Sequence, residues 1–454
     1  MGAEKDIIVA VELGSTAIRA IAGKRQPDGS MRVLAIAQED ATNCIRKGIV
    51  DNIDKTTQTI SNVIQRLNEK LNVHITKVYV GLSGQSLHTV LNKVEKNYDS
   101  KTQIGNEIVD QLKDINGATV YPDSKILDVV PQEYQIGNRS IPEPVGMLTD
   151  HLEARFLNIV ARRSLSENIE KCIRGAGVDI ADIFISPLCL ANSLLSASEK
   201  RSGCALVDFG ANTTTVAIYT KNILRYLGVI PLGGANVTAD IASKNIEFEE
   251  AEKLKLDYAA ACHEDTEEEE APRKLSLSFD RSIPEDLFRE IVEARYKEIF
   301  ANIWVHIKPE CDKLLSGIIF CGGASKTRKI SEAFSQFTRY NKPIRIAKGL
   351  PQNITLAPGV NIPENSNMYT LMAILQEGDQ VCIGEEPQEQ DMVQGEMDFQ
   401  DETKTEEKTQ GTNVSPELTD EKKEEKPKPQ DEKLKKKWAR FSDILGKLFE
   451  PEEE

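Results

Sequence analysis

The chain has 454 residues, 40% of them hydrophobic and 6% aromatic, which is enough to build two or more packed lobes. Its formal net charge of −16 repels phosphate backbones, so we expect no nucleic-acid partner. The eight cysteines form no CxxC pair and do not cluster with the five histidines, which predicts reduced, buried thiols and no Cys/His metal centre. We expect no signal peptide, because the N-terminus has no basic segment followed by a long apolar one. We expect no spanning helix, because no apolar stretch reaches the ~20 residues that a bilayer needs.

The first 84 residues predict a mixed sheet with covering helices. Apolar and β-branched runs predict strands over 7–14, 16–23 and 32–38. Apolar residues at steps of three and four predict a helix over 51–72, and a strand returns over 77–82. Such an order implies helices packed on the faces of a sheet.

A similar unit follows later in the chain. The letters VELG at 11–14 and VDFG at 207–210 each combine a buried strand, an acidic residue and a glycine turn. A strand rich in β-branched residues comes next in both cases, and the two units are 196 residues apart. This repetition predicts two related lobes that face each other.

Two segments interrupt this repeated pattern. Residues 85–164 are interpreted as an inserted small α/β subdomain that contains the letters ILDVVPQEYQI and HLEARFLNIVA. A second insertion covers 245–315 and contains an acidic run over 263–270, which is typical of a solvated loop.

Two glycine turns with polar neighbours are candidate phosphate sites. In the first, Gly14 lets backbone amides approach an anion, and Ser15 or Thr16 adds a hydroxyl donor, although a plain tight turn has the same pattern. In the second, Asp208 ends a strand and is placed to hold Mg²⁺ through water, although it could also only cap its turn. The residues that follow it and could hold phosphate oxygens are Gly210, Ala211, Asn212 and Thr213.

Two Gly-Gly turns complete a set of four. Gly233 and Gly234 open a predicted helix over 236–243, and a helix N-terminus favours an anion. Gly322 and Gly323, followed by Ala324, leave bare backbone against which a flat ring such as adenine could lie. Because glycines also simply end strands, the prediction of a nucleotide site depends on the order of all four turns.

This order resembles the superfamily of actin, Hsp70 and the sugar kinases, and more closely the FtsA family of bacterial cell division. The letters that carry the resemblance are VAVELGS, VYVGLSG, VVPQEYQI, VDFGANTTTVAIYT, RYLGVIPLGGANVTADIA, AEKLK, IVEARYKEIF and IIFCGGAS, over about residues 6–375. The resemblance implies ATP and Mg²⁺ between the lobes, with Glu252 and Lys255 near the ribose and adenine. Two departures are Glu12, where actin and Hsp70 have Asp, and Ala211-Asn212, where Gly-Gly is commoner.

The resemblance also implies a domain plan for an actin-like, ribonuclease H-like α/β fold. The expected parts are subdomain 1A (6–84 and 165–199), an FtsA-type subdomain 1C (85–164), subdomain 2A (200–244 and 316–378), subdomain 2B (245–315), a disordered acidic linker (379–432) and a membrane-targeting amphipathic helix (433–450). The linker is expected because its composition offers too few large apolar residues to bury.

The C-terminal letters LKKKWARFSDILGKLF form an apolar stripe flanked by cations, as in a helix lying flat on anionic lipid. The expected membrane residues are Leu434, Lys435, Lys436, Lys437, Trp438, Arg440, Phe441, Ile444, Leu445, Leu448 and Phe449. The alternative is that the stripe docks on the protein itself or on a partner.

The resemblance implies an adaptor that self-associates into filaments and holds FtsZ, with other division proteins, on the cytoplasmic face of the inner membrane at the division site. Arg289, Arg295 and Lys297, on a helix predicted over 284–307, are candidates for the acidic FtsZ C-terminal tail, although a solvated helix face has the same pattern. The alternatives are a kinase, an Hsp70-like chaperone ATPase or a pilus-assembly relative. No residue can be assigned that positions an attacking water, so at most a weak ATPase is expected.

Overall fold

The computed structural model describes residues 6–263, 273–278, 281–362 and 368–384, all of which lie in one compact unit, Met1–Glu386. The strands are β1 Ile8–Leu13, β2 Ala17–Arg25, β3 Met31–Asp40, β4 Ile45–Arg46, β5 Ile49–Val50, β6 Lys77–Leu82, β7 His88–Gln103, β8 Ser124–Ile136, β9 Arg139–Ile141, β10 Leu148–Arg162, β11 Asp179–Ile185, β12 Cys204–Phe209, β13 Thr214–Thr220, β14 Ile223–Ile230, β15 Lys274–Ser276, β16 Ser282–Pro284, β17 Ile318–Cys321, β18 Ile344–Ile346 and β19 Ile354–Leu356. The α-helices are α1 Ile53–Leu71, α2 Asn106–Gly117, α3 Arg163–Gly175, α4 Ser186–Leu194, α5 Ala197–Ser202, α6 Gly234–Ala242, α7 Phe248–Tyr258, α8 Glu285–Ile307, α9 Ile330–Thr338 and α10 Tyr369–Glu377.

The first lobe is built on a six-stranded sheet with the order β11-β6-β1-β2-β3-β19. Its central strand β1 is parallel to β6 and antiparallel to β2. Helix α1 shows how the sequence sets a boundary: the side chain of Asn52 accepts a hydrogen bond from the Lys55 N–H at 2.9 Å and caps the helix. The buried face of α1 is formed by Ile60, Val63 and Leu67, as the helical periodicity predicted.

The second lobe repeats this arrangement in its own sheet. Strand β12 is antiparallel to β13 and parallel to β17, and the order β18-β17-β12-β13-β14 repeats β11-β6-β1-β2-β3 of the first lobe. One face of this sheet packs on α8 and α9 in a shared apolar cluster, in which Phe320 of β17 contacts Phe334 of α9 at 5.4 Å between ring centroids. The predicted duplication of a strand–turn–strand unit is confirmed.

The first insertion forms an antiparallel sheet in which β10 lies between β7 and β8, with α2 packed against β7. This sheet joins the second lobe through β14 and β7, so that nine strands run without a break. The second insertion contains α7, the β15–β16 hairpin and α8. The part of the acidic run after His263, residues 264–270, lies outside the described residues.

The first residues of the segment predicted as a linker, 379–384, pack against the first lobe. Cys382 is fully buried, its N–H donates to the Ile7 carbonyl oxygen at 2.8 Å, and its own carbonyl oxygen accepts from the Thr76 N–H at 2.9 Å. Residues 379–384 are therefore part of the first lobe, because a buried thiol and backbone pairing hold them to its sheet. Residues 385–432, the predicted helix over 433–450 and all the expected membrane residues lie outside the described residues.

Candidate functional site

Two equivalent hairpin turns, one from each lobe, form the centre of the site. The Gly14 N–H donates to the Ala17 carbonyl oxygen at 3.2 Å, and the Gly210 N–H donates to the Thr213 carbonyl oxygen at 2.9 Å. A Cβ atom at either glycine would lie 2.8 Å from that same oxygen, which is closer than real contacts allow. Both turns therefore require glycine, and in both hairpins four residues separate the last cross-strand pair, Leu13 with Ile18 and Phe209 with Thr214.

A partly buried carboxylate lies near the end of the first strand of each hairpin. Burial raises the pKa of Glu12 to about 7, Arg19 lowers it in part, and the charge of Asp208 raises it further. Burial likewise raises the pKa of Asp208 to about 6. Glu12 belongs to the first lobe and Asp208 to the second, so the effect of Asp208 on the pKa of Glu12 indicates that the two turns lie near each other.

Arg19 lies directly across the first hairpin from Glu12. Its Nη1 atom is 3.9 Å from Oε2 of Glu12, too long for a hydrogen bond, and its side chain is only 10% exposed. Both Arg19 Nε and Glu12 Oε2 are buried without a hydrogen-bond partner among the described residues. Arg19 was not among the predicted site residues, although a four-residue turn fixes residue 19 opposite residue 12.

The third turn packs directly on the second. The Gly234 N–H donates to the Gly210 carbonyl oxygen at 3.0 Å, and the Ala235 N–H donates to the Ala211 carbonyl oxygen at 2.8 Å. A Cβ atom at Gly233 would lie 2.5 Å from the Ala211 carbonyl oxygen, so a side chain there would force the turns apart. Asn236 completes the start of α6, because its side chain accepts from the Gly233 N–H at 2.9 Å.

The fourth turn contacts both the acidic pair and the third turn. Gly322 has a φ of +86°, and a Cβ atom there would lie 2.3 Å from Asp208 Oδ1. Two residues later, the Cβ of Ala324 lies 2.9 Å from the position of a Cβ on Gly234. Gly323 begins a short 3₁₀ turn, Gly323–Lys326. The second, third and fourth glycine turns therefore meet at one place.

Lys255 and Glu252 close one side of this site from helix α7. The Lys255 ammonium donates to Glu252 Oε2 at 2.7 Å, to Thr238 Oγ1 at 3.0 Å and to the Gly234 carbonyl oxygen at 3.2 Å. Thr238 also donates to Glu252. The network ties α7 to the third turn and includes Thr238, which was not among the predicted site residues.

The other predicted site residues of the two hairpin turns lie in different environments. Ser15 Oγ accepts a hydrogen bond from the Gly48 N–H at 3.2 Å, which fixes its position beside the first turn. Thr16 lines a shallow groove of about 410 Å³ together with Asp40 and Arg66. Asn212 and Thr213 are partly exposed at the tip of the second turn. A larger groove of about 510 Å³ lies away from the four turns, between α4, residues 345–353 and the end of α10.

The three cations of α8 all have acidic partners. Arg295 binds Asp240 with two hydrogen bonds, from Nε at 2.5 Å and from Nη2 at 2.8 Å. Arg289 pairs with Glu285, and Lys297 pairs with Glu293 at 3.5 Å while 58% of its side chain stays exposed. Lys297 is therefore the most accessible of the three. No helix among the described residues is long and apolar enough to cross a membrane.

Two duplicated lobes that share four glycine turns, with an inserted subdomain after the first lobe's β6, define an actin-like fold of the FtsA type. A solved structure entitled "PilM-PilN type IV pilus biogenesis complex" has this fold, with a TM-score of 0.58 and 14% identity over 81% of this chain and 97% of that one. Family models for "Cell division protein FtsA" and "SHS2 domain inserted in FTSA" match residues 205–368 and 84–160.

Curated relatives agree with these models. The cell division protein FtsA of Porphyromonas gingivalis is 32% identical over 352 residues, which cover 75% of this chain and 72% of that protein. The FtsA of Pseudomonas aeruginosa is 30% identical over 77% of this chain and 84% of its own length. The chain therefore belongs to the FtsA family of cell division proteins, as the motifs predicted, and the kinase, chaperone and pilus alternatives are not favoured.

Proposed function

We propose that this protein binds ATP with Mg²⁺ between its two lobes, self-associates into actin-like filaments and holds FtsZ polymers on the cytoplasmic face of the membrane. The observation that carries the nucleotide site is that Glu12 and Asp208 occupy equivalent positions before two glycine turns and that the charge of Asp208 raises the pKa of Glu12. Two partly desolvated carboxylates that repel each other are costly unless a cation or a proton compensates their charge. Membership of the FtsA family supports the division role.

The residues at the site fit Mg²⁺. Partial burial raises the pKa of Asp208, and Oε2 of Glu12 has no donor among the described residues, so a hydrated cation would satisfy both groups. Asp208 would hold the ion through water. Bound there, Mg²⁺ neutralises charge on the phosphate oxygens of the nucleotide.

The four turns offer the remaining contacts for a nucleotide. Backbone N–H groups at Gly14 and Gly210 already form the hairpin bonds, so the amides and hydroxyls of the residues that follow them would bind phosphates: Ser15, Thr16, Ala211, Asn212 and Thr213. The third turn would add the positive end of α6. Glu252 and Lys255 on one side, and Gly322, Gly323 and Ala324 on the other, would hold the nucleoside.

We place the FtsZ tail on subdomain 2B, residues 245–315, beside α8. An acidic peptide needs accessible cations, and Lys297 offers one at small cost because its pair with Glu293 is long and exposed. Arg289 and Arg295 would take part only after leaving Glu285 and Asp240.

We place the membrane contact on residues 434–449, where an apolar stripe is flanked by four lysines and one arginine. A single helix of this kind binds anionic lipid reversibly, so filament formation would multiply the number of contacts and the avidity. The linker before it would let the folded body lie at some distance from the bilayer.

Liposome co-sedimentation with FtsZ and ATP tests the adaptor role. Full-length protein should pellet with anionic vesicles and bring FtsZ with it, whereas a chain ending at residue 432 should leave both in the supernatant. A matched control deletes residues 401–420 from the linker and keeps the terminal helix, so it should pellet normally. Full-length protein that stays in the supernatant would refute the membrane role.

Titration calorimetry with ATP, with and without Mg²⁺, tests the nucleotide site separately. Asp208→Asn should remove most of the gain in affinity that Mg²⁺ gives the wild type. An unchanged Mg²⁺ dependence in this variant would show that Asp208 does not hold the ion.

A further inference from the structure

The inserted subdomain is connected to the first lobe by the chain but hydrogen-bonded to the second lobe. Strand β7 adds to β14 through the pair His88 and Gly228. Beside that pair, the Thr89 hydroxyl donates to the Leu227 carbonyl oxygen at 3.1 Å and accepts from the Leu227 N–H at 3.0 Å. The Thr89 side chain thus satisfies both the N–H and the carbonyl oxygen of Leu227 in the second lobe.

A second contact comes from a bulge in β8. Arg155 of β10 pairs with Glu133 and the next residue, Phe156, pairs with Pro131, so Gln132 is an extra residue without a partner on β10. A bulge of this kind redirects the side chain of the extra residue, and Pro131 contributes no N–H to the ladder. The letters PQE of the motif VVPQEYQI are those that form the bulge.

The bulge directs Gln132 at strand β14. The Gln132 side chain is buried, and its amide group donates to the Leu224 carbonyl oxygen at 3.0 Å. Its Oε1 atom accepts from Arg225 Nη1 at 2.9 Å, and the Nε of Arg225 donates to Thr220 at 3.1 Å. Both ends of one amide are therefore used to join the insertion to the second lobe.

The insertion makes fewer hydrogen bonds to the first lobe among the described residues, although its apolar residues share a core cluster with that lobe. The Gln85 N–H donates to the Lys47 carbonyl oxygen at 3.2 Å. Gly84 packs so closely on Gly48 that a Cβ atom would lie 2.8 Å from the Gly48 carbonyl oxygen. The two chain crossings near 82–88 and 162–163 are thus the places where the insertion could turn relative to the first lobe.

Strand β14 also leads straight into the candidate nucleotide site. After β14 ends at Ile230, the Leu232 carbonyl oxygen accepts from the buried Thr214 hydroxyl at 2.8 Å, and Gly233 and Gly234 follow. The strand that receives Gln132 is therefore continuous with the turn that packs on Gly210.

We propose that the inserted subdomain moves with the second lobe as one body, fastened by Gln132 and Thr89, so that closure of the lobes on a nucleotide is relayed to the insertion. Gln132 is the positioning residue of this coupling. The relay rests on the proposed nucleotide site, whereas the fastening itself does not.

Hydrogen exchange of the full chain, without nucleotide, tests the fastening. Gln132→Met keeps the side-chain length and removes both hydrogen bonds. The matched control is Gln135→Met in the same strand, whose side chain bonds Gly137 and Arg155 within the insertion. Gln132→Met should speed amide exchange over residues 224–228 and 88–92 about tenfold relative to the control, because the contacts that hold these strands together are lost. Equal rates in the two variants would overturn the proposal.

The same experiment with ATP and Mg²⁺ tests the relay. In the wild type, nucleotide should slow exchange at the turn over 210–213 and also in strands β7 and β10. In Gln132→Met the turn should still be protected, while the response of the insertion is lost. Protection of the turn without any response of the insertion in the wild type would overturn the relay alone. No protection of the turn in any variant would instead refute the proposed nucleotide site.

Discussion

Asp208 of the second lobe raises the pKa of Glu12 in the first lobe, although 196 residues separate them in the chain. The two carboxylates occupy equivalent positions of two hairpins with the same turn length. The duplicated hairpins thus place two like charges where one affects the ionisation of the other.

The acidic pair predicts a specific pH dependence for the protein without nucleotide or Mg²⁺. Below pH 4.5 Glu12 is protonated in both states, but between pH 4.5 and about 7 the unfolded chain ionises while the folded chain keeps the proton. The free energy of unfolding should therefore fall as the pH rises through this window. Glu12 contributes on the order of 3 kcal/mol to that fall.

Urea unfolding of Glu12→Gln at pH 5 and pH 8 measures this contribution. The variant should lose roughly 2–3 kcal/mol less than the wild type between these two pH values. Glu95→Gln, at an exposed site on β7, is the control and should behave like the wild type. The same pH dependence in Glu12→Gln and the wild type would contradict the coupling.

Gly322 should be among the least replaceable residues of the site. Gly322→Ala combines a positive φ with a Cβ that would lie 2.3 Å from Asp208 Oδ1, so it should lower the free energy of unfolding by on the order of 3 kcal/mol. Gly177 has a similar φ of +82° and open space around it, so Gly177→Ala isolates the conformational cost of about 1 kcal/mol. Equal losses in the two variants would show that the approach to Asp208 is unimportant.

Lys255 should matter for nucleotide binding more than its neighbours do. Lys255→Ala removes an ammonium that joins Glu252, Thr238 and the third turn, so ATP affinity in calorimetry should fall at least about tenfold. Lys253→Ala changes an exposed cation on the same helix and is the control. An unaltered affinity in Lys255→Ala would remove this residue from the site.

Among the cations of α8, Arg295 should contribute to the stability of the fold and Lys297 to peptide binding. Arg295→Ala breaks a two-bond pair with Asp240 and should cost about 1 kcal/mol of stability. Lys297→Ala should leave stability unchanged within about 0.5 kcal/mol but weaken binding of an FtsZ tail peptide several-fold. Fluorescence anisotropy with the labelled peptide measures the second effect, and unchanged binding by Lys297→Ala would exclude this residue from the FtsZ site.

Local patterns predicted the elements well. Strand β6 coincides with the predicted 77–82, and α8 begins one residue after the predicted start because Pro284 precedes its first turn. The four glycine turns were found because each depends on a short run of letters. Such features are set by interactions between residues close in sequence.

The contacts between distant segments could not be predicted in this way. Gln132 meets Arg225 across 93 positions, and its direction depends on a bulge that alternation alone does not reveal. The burial of Cys382 depends on backbone groups offered by β1 and β6, at the other end of the chain. Only the assembled sheet supplies these partners.

The packing of residues 379–384 has a mechanical consequence. The Gly384 N–H donates to the His74 carbonyl oxygen at 2.9 Å, and Cys382 bonds to the chain on both sides at Ile7 and Thr76. A pulling force on the chain beyond Gly384 would therefore load several hydrogen bonds of the first lobe together, along its two central parallel strands. The first lobe would therefore bear this tension as a unit.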